Sequence, residues 1–224
     1  MRKFEDTYRH KGLRKQLIET IKDKGISDEN VLQAMMNIPR HYFLDTALDN
    51  IAYQDRAFPI QEGQTISQPY TVAFQTQLLE VKPYDKILEI GTGSAYQAVV
   101  LAEMGANVFT IERQRGLFEK NKNLFEKDKD FMLKLKYPTL KFFYGDGFEG
   151  LPTYAPFDKI LITAAAPIIP PKLLTQLRTG GKMVLPLDDD GMQKMMRITR
   201  DEDGNYSEER FSNFSFVPML RGKN

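Results

Sequence analysis

Glu89, Gly91 and Gly93 stand in the run ILEIGTGSAYQ (87–97) at the spacing E-x-G-x-G, and Glu112 ends the run NVFTIE further along. Glycines at a strand-to-helix turn let a nucleotide-like ligand approach bare backbone. A carboxylate about twenty residues beyond such a turn is where ribose hydroxyls are gripped. Gly145-Asp146-Gly147 adds a third group. Asp146 can accept from an exocyclic amine such as that of adenine, and its flanking glycines permit close approach. Alone, that tripeptide reads equally as a glycine turn with a solvated carboxylate. Taken with Glu112, it points to a site for a nucleoside-containing cofactor.

The elements that must position these residues are legible in the hydrophobic pattern. Ile87, Leu88 and Ile90 make a buried strand, and Ala95, Ala98, Val99 and Ala102 recur at helical spacing until Gly105. Upstream, Leu13, Leu17, Ile18 and Ile21 mark one helix face, and Ser27 or Asp28 caps a second helix closed by Pro39. From Arg40 to Gln68 the periodicity fails, which predicts a folded loop region, and a third helix runs from Thr71 to Val81. After Glu112 comes a long lysine-rich helical stretch. Strands follow at 140–146, 157–163, 181–187, 192–200 and 209–220, with a helix at Pro170–Leu177 stopped by Gly180-Gly181. Strand and helix alternate first, then strands follow one another. The predicted fold is therefore α/β: a Rossmann-like, mostly parallel sheet with helices on both faces and an antiparallel C-terminal edge. That ending suits the methyltransferase variant of the fold better than the dehydrogenase one. A single domain over 1–224 is expected, with 1–70 as a helical and loop cover over the site.

Two details bear on which cofactor is bound. A dinucleotide site wants a small residue three places after its second glycine, and this chain has Tyr96 and Gln97 there. Glu89, inside the strand, is unusual for a nicotinamide site. S-adenosylmethionine has no pyrophosphate, and its cationic amino-acid end favours a nearby carboxylate. The loop favours S-adenosylmethionine, while a nicotinamide or flavin nucleotide and a bare structural turn stay open.

Composition removes other chemistry. There are no cysteines and two histidines, which excludes disulfides, thiolate catalysis and an ordinary zinc site, so no metal is expected. Lys and Arg number 31 against 30 Asp and Glu, a net charge of +1 that leaves no basic footprint for nucleic acid. No stretch is apolar enough to span a membrane, and the start MRKFEDTYRHKG lacks a leader's apolar segment. The expectation is a cytoplasmic monomer with neither a nucleic-acid nor a membrane partner.

Gly63 to Pro69 is a polar cluster before a helix, where Ser67 or Thr71 reads first as a cap. Its position, one helix away from the cofactor strand, also places it over the site. The segments PRHYF (39–43), AYQDRAFPIQEGQTISQPY (52–70), ILEIGTGSAYQ, GDGFEG, FDKILITAAAP and FVPML occur in the order and spacing of the protein-L-isoaspartate O-methyltransferase family, which the chain resembles from about residue 25 onward. QTISQP with ITAAAP is more specific than the glycine loop.

The resemblance implies methyl transfer from S-adenosylmethionine, with S-adenosylhomocysteine as product, to the free α-carboxylate of isoaspartyl proteins and peptides. It implies that Ser67 is catalytic and that Gln64, Thr65, Ile66 and Ser67 touch the cofactor. Gly91, Gly93 and Ser94 would form the cofactor loop, Glu112 and Arg113 would hold the ribose side, and Asp146 and Gly147 the adenine side. Ala164, Ala165 and Val217 would border the substrate. Three features depart from the family pattern. Ala95 and Gln61 stand at glycine positions, and the 114–140 segment is long. Two alternatives are a non-catalytic cofactor-binding module and a methyltransferase for another substrate. TAAAP offers no polar grip for an amine, and a cytosine-carbon methyltransferase would need a cysteine.

Overall fold

The computed structural model describes residues 4–135, 137–189 and 191–224. Helix α1 (Tyr8–Asp23) starts at a capping box between Thr7 and His10, and α2 (Glu29–Asn37) starts where the Asp28 carboxylate accepts from the Asn30 and Val31 amides. Two 3-10 turns (Arg40–Phe43 and Thr46–Leu48) lead to a two-stranded hairpin, β1 (Phe58–Pro59) and β2 (Thr65–Ile66). Helix α3 (Pro69–Leu79) follows, with Pro69 at its first position. Then come β3 (Lys86–Ile90), α4 (Tyr96–Glu103), β4 (Asn107–Glu112), α5 (Arg115–Glu126), α6 (Lys129–Lys134) and β5 (Leu140–Tyr144). The chain ends with β6 (Phe157–Ile162), α7 (Pro171–Leu174), β7 (Leu177–Asp189), β8 (Met192–Arg200) and β9 (Tyr206–Phe214).

The main sheet has seven strands in the order β5-β4-β3-β6-β7-β8-β9. Pairings from β5 to β7 are parallel, and β7-β8 and β8-β9 are antiparallel. The chain winds outward from β3 to β5, then returns to place β6 on the other side of β3. That reversal opens a crevice at the carboxyl ends of β3 and β6, where ligands of doubly wound sheets bind. Alternate strand residues divide between two cores. Ile87, Leu161 and Val184 join residues of α1 to α4 and Phe131 of α6. Leu88, Ile90, Ile160, Ile162, Met183 and Leu185 join Phe148 and Leu173 on the opposite face. Phe4, Leu17, Ile66 and Val72 belong to the first of these clusters, so the N-terminal segments share one core with this face of the sheet, where α3 lies against β6 and β7.

The structure corrects three expectations. The helix predicted at Pro170–Leu177 is one turn long, and Gly180-Gly181 lies inside β7. There the register against β6 jumps from Phe157↔Leu177 to Lys159↔Lys182, and Gly180 takes φ +72°, so the glycines form a bulge and do not stop a helix. The last predicted strand divides at Phe214. The Gln193 side chain binds both the amide and the carbonyl of Phe216, and the chain then turns across the site to bridge Pro218 with Ala165. The lysine-rich stretch is two helices, because Asp128 caps α6 by accepting from Asp130 and Phe131. In the acidic run 188–190, Asp188 and Asp189 end β7, and Asp190 lies outside the described residues.

Candidate active site

A cavity of about 580 Å³ opens at the carboxyl ends of β3, β4 and β6. Its floor is the loop after β3. Gly91 (φ +98°) and Gly93 (φ +53°) turn the chain there, and the amides of Gly91 and Thr92 both donate to the Ile111 carbonyl. The next strand supplies the carboxylate. Glu112 Oε2 accepts from the Gly93 amide at 2.9 Å, and Oε1 accepts from Gln114 at 2.8 Å. Asn121 of α5 closes the ring by donating to the Gly93 carbonyl at 2.9 Å. Burial raises the Glu112 carboxyl above its ordinary range, opposed by these amides and by Arg113. Loop and carboxylate are thus braced against each other before any ligand arrives.

Of the residues expected at the site, Gln64, Thr65, Ile66, Ser67, Gly91, Gly93, Ser94, Glu112, Arg113, Gly147, Ala164 and Val217 line this one cavity. Glu89, Asp146 and Ala165 do not. Glu89 is fully buried beneath the loop, where Thr110 donates to its Oε2 at 2.5 Å and Thr92 lies 2.6 Å from Thr110. Desolvation raises its carboxyl to about 8, and its Oε1 has no partner. Asp146 accepts from Phe148 at 2.9 Å and from the Gly222 amide at 2.7 Å, while Arg113 donates to the Gly222 and Arg221 carbonyls. Ala165 is buried and pairs with the chain itself: its amide donates to Val217 and its carbonyl accepts from Met219. The Ala165 amide and carbonyl and the Val217 carbonyl are therefore engaged within the molecule.

Ser67 faces the cavity from the turn between β2 and α3. It does not cap α3. Gln68 is the N-cap residue and makes no side-chain capping bond, and Asp55 accepts from the Tyr70 amide at 2.8 Å in place of a cap. The Ser67 hydroxyl has no partner among the described residues. Tyr70, Phe214 and Phe216 also line this side; the linear pattern placed Phe214 and Phe216 only in a strand and left Tyr70 just before a helix. The opposed rings of Tyr70 and Phe214, with centroids 6.2 Å apart, arise from segments that meet only in the fold.

The departures at Ala95 and Gln61 have local explanations. In the 61–64 turn the left-handed residues are Glu62 and Gly63, so Gln61 needs no glycine. Ala95 does take φ +69°, but its methyl is buried away from the cavity wall. Relief of left-handed strain in an Ala95→Gly variant, about 1–2 kcal/mol, exceeds the loss of one buried methyl at about 0.8 kcal/mol. We expect a slightly raised melting temperature with cofactor affinity unchanged, and a lowered melting temperature would refute this balance. Asp6, His10 and His41 gather possible metal ligands within 4.8 Å of one another. Arg14 holds the Asp6 carboxylate, the Thr7 amide donates to His10 Nδ1, and Tyr53 and the Glu5 carbonyl engage the two His41 nitrogens.

Relatives share this architecture. The sequence model of the protein-L-isoaspartate(D-aspartate) O-methyltransferase family matches residues 12–224. A protein-L-isoaspartate O-methyltransferase of Cytophaga hutchinsonii is 54% identical over 217 residues, covering 97% of this chain and 95% of its own. One from Christiangramia forsetii is 51% identical over 221 residues, covering 99% and 100%. A Plasmodium falciparum crystal structure, described as an enzyme of this kind in complex with S-adenosyl-L-homocysteine, superposes with a TM-score of 0.78 at 27% identity, covering 92% of this chain and 98% of its own. With a family match over nearly its whole length and relatives above half identity, this chain belongs to the protein-L-isoaspartate(D-aspartate) O-methyltransferase family.

Proposed function

We propose that the protein transfers a methyl group from S-adenosylmethionine to the free α-carboxylate of L-isoaspartyl residues in damaged proteins and peptides, initiating repair through a succinimide. A single cavity carries this reading: the glycine loop and Glu112 share it with Ser67 and Ala164. The residues present fit the cofactor. Glu112 offers a buried carboxylate to ribose hydroxyls, Gly91 and Gly93 bare backbone, and Gly147 a strand end too narrow for a side chain, since a Cβ there would meet Ile90 and Met219. Bound S-adenosylmethionine supplies an electrophilic methyl carbon on a sulfonium.

The chain's own residues have a modest task. The substrate α-carboxylate is ionised at pH 7 and already a nucleophile, so no general base is needed. Neither histidine lines the cavity. Alignment of carboxylate oxygen, methyl and sulfonium is mainly a matter of proximity and orientation. Ser67 is the catalytic residue in this proposal. Its unpartnered hydroxyl donates to the carboxylate and aims it, beside Gln64, Thr65 and Ile66. Arg113 flanks the ribose and Gly147 faces the adenine side, with Asp146 held behind it by the Phe148 and Gly222 amides. Ala164 and Val217 border the substrate. Glu89 acts from below the loop through Thr110 and Thr92, and Ala165 acts by holding Val217 in place.

We further propose that residues 1–70 are a cover within one domain, and that the protein acts as a cytoplasmic monomer without nucleic-acid or membrane partners. The near-neutral charge and the lack of cysteine support this. Among the described residues no helix is long and apolar enough to cross a membrane.

Labelled S-adenosylmethionine offered with two peptides, one isoaspartyl and one aspartyl, tests the function. Base-labile label is expected on the isoaspartyl peptide alone. Label on neither peptide, with cofactor still bound, would refute it. Ser67→Ala should lower kcat/KM by about 1–3 kcal/mol of transition-state stabilisation, as for a hydrogen bond to a charged group, and leave cofactor affinity intact.

A further inference from the structure

Arg40 belongs to PRHYF, a segment to which the proposed chemistry gives no role. It is fully buried and among the largest fully buried side chains in the protein. No carboxylate among the described residues bonds it, although the Tyr96 and Asp55 side chains nearby favour its charged form. Nε donates to the Ala52 carbonyl at 3.1 Å and Nη2 to the Ser67 carbonyl at 2.8 Å, while Nη1 has no partner. The guanidinium lies 4.9 Å from the ring centre of Tyr96, the first residue of α4 after the cofactor loop. Desolvation lowers its pKa to about 10, so it remains a cation at neutral pH. A buried charge with no bonded counter-ion is a poor stabilising device, and a well-packed apolar side chain serves a core better. Its planar fork can do what an apolar residue cannot. It holds two carbonyls from different stretches of chain while its cation lies over an aromatic ring.

The other flank of the same turn is also gripped. Asp55 accepts from the Tyr70 amide at 2.8 Å, and its carbonyl and Oδ2 each accept from Gln68 Nε2 at 3.1 Å. Asp55 is anchored in turn by Lys24 at 2.6 Å. Ser67 thus sits between two clamps, and its hydroxyl has no internal bond to orient it. The peptide plane that carries it sets its direction.

We infer that Arg40 is a positioning residue for methyl transfer, holding the Ser67 carbonyl so that the Ser67 hydroxyl points at the substrate carboxylate, with Asp55 fixing the opposite flank. This rests on the role proposed above for Ser67. A purely structural Arg40 would lower stability and leave turnover per folded molecule unchanged. Misplacement of a reacting group by about 1 Å can cost on the order of a hundredfold in rate.

A double-mutant cycle on the full chain separates these roles. Arg40→Lys, which keeps the charge and loses the fork, is measured alone and in a Ser67→Ala background. The readouts are kcat and KM for an isoaspartyl peptide, cofactor Kd and melting temperature. Alone, Arg40→Lys should lower kcat by about tenfold or more while cofactor Kd moves less than about threefold. In the Ser67→Ala background the same change should alter kcat by less than about twofold, because the group it positions is gone. Should the two losses instead multiply, Arg40 acts independently of Ser67 and the inference fails while the role of Ser67 stands. A Ser67→Ala enzyme with parental kcat removes the role of Ser67, and the inference with it. If Arg40→Lys does not fold, Asp55→Asn is taken through the same cycle, where non-additivity again supports the clamp and multiplication overturns it.

Discussion

Glu112→Ala should weaken cofactor binding by a hundredfold or more, about 3 kcal/mol, and should also lower the stability of the unliganded protein. Both effects arise from one carboxylate with two duties. Its oxygens accept from the Gly93 and Gln114 amides at 2.9 and 2.8 Å, in a position only 4% exposed. Truncation leaves two amides without partners, each costing about 1–3 kcal/mol. It also frees the glycine loop that the carboxylate braces and removes the acceptor for the ribose. Glu112→Gln should fall between the two proteins, because its amide nitrogen would face a backbone N–H, donor against donor. Calorimetry with S-adenosylhomocysteine and thermal unfolding of the apo protein measure the two duties separately. A Glu112→Ala protein that binds within about threefold of the parent would show that Glu112 does not hold the ligand.

Gly91→Ala should reduce stability by about 3 kcal/mol and abolish cofactor binding. Two independent physical terms contribute. The position has φ +98°, where a side chain costs about 1–2 kcal/mol. A Cβ would also lie 2.6 Å from Thr163 Oγ1. That hydroxyl is not free to move, since its one hydrogen is held between the carbonyls of Gly91 and Ile90, at 2.7 and 3.0 Å. Adding Thr163→Ala to the variant should recover the steric part and leave the conformational part. Full recovery would show that backbone strain at Gly91 is negligible, and no recovery would show that the contact with Thr163 is not the cause.

Much of the site was legible because it is local in the chain. Strand, glycine turn and helix follow within 87–103, and Glu112 ends the next strand, so their joining at one sheet edge follows from the parallel crossover alone. The same locality explains what was misread. Gly180-Gly181 punctuates a bulge as readily as a helix end, and only pairing with β6 decides between them. Pattern alone carried the last strand to residue 220. The Gln193 side chain ends it by taking both hydrogen-bonding groups of Phe216. Glu89 has the right type and spacing for ligand contact, yet strand alternation turns it under the loop toward Thr110.

The sequence by itself determined the mostly parallel sheet, the meeting of the glycine loop and Glu112 at one sheet edge and the family resemblance, because each depends on neighbours a few residues apart. The tertiary structure decided how Ser67 is held, through Arg40 and Asp55, and which aromatic rings line the cavity beside it. It also decided that Ala165 pairs with Val217 and that Asp146 and Arg113 bind residues 221 and 222. These are contacts between segments far apart in the chain. A linear pattern records the burial and polarity of each residue but not its partner, and the partner is set by where the folded backbone brings a donor and an acceptor within about 3 Å.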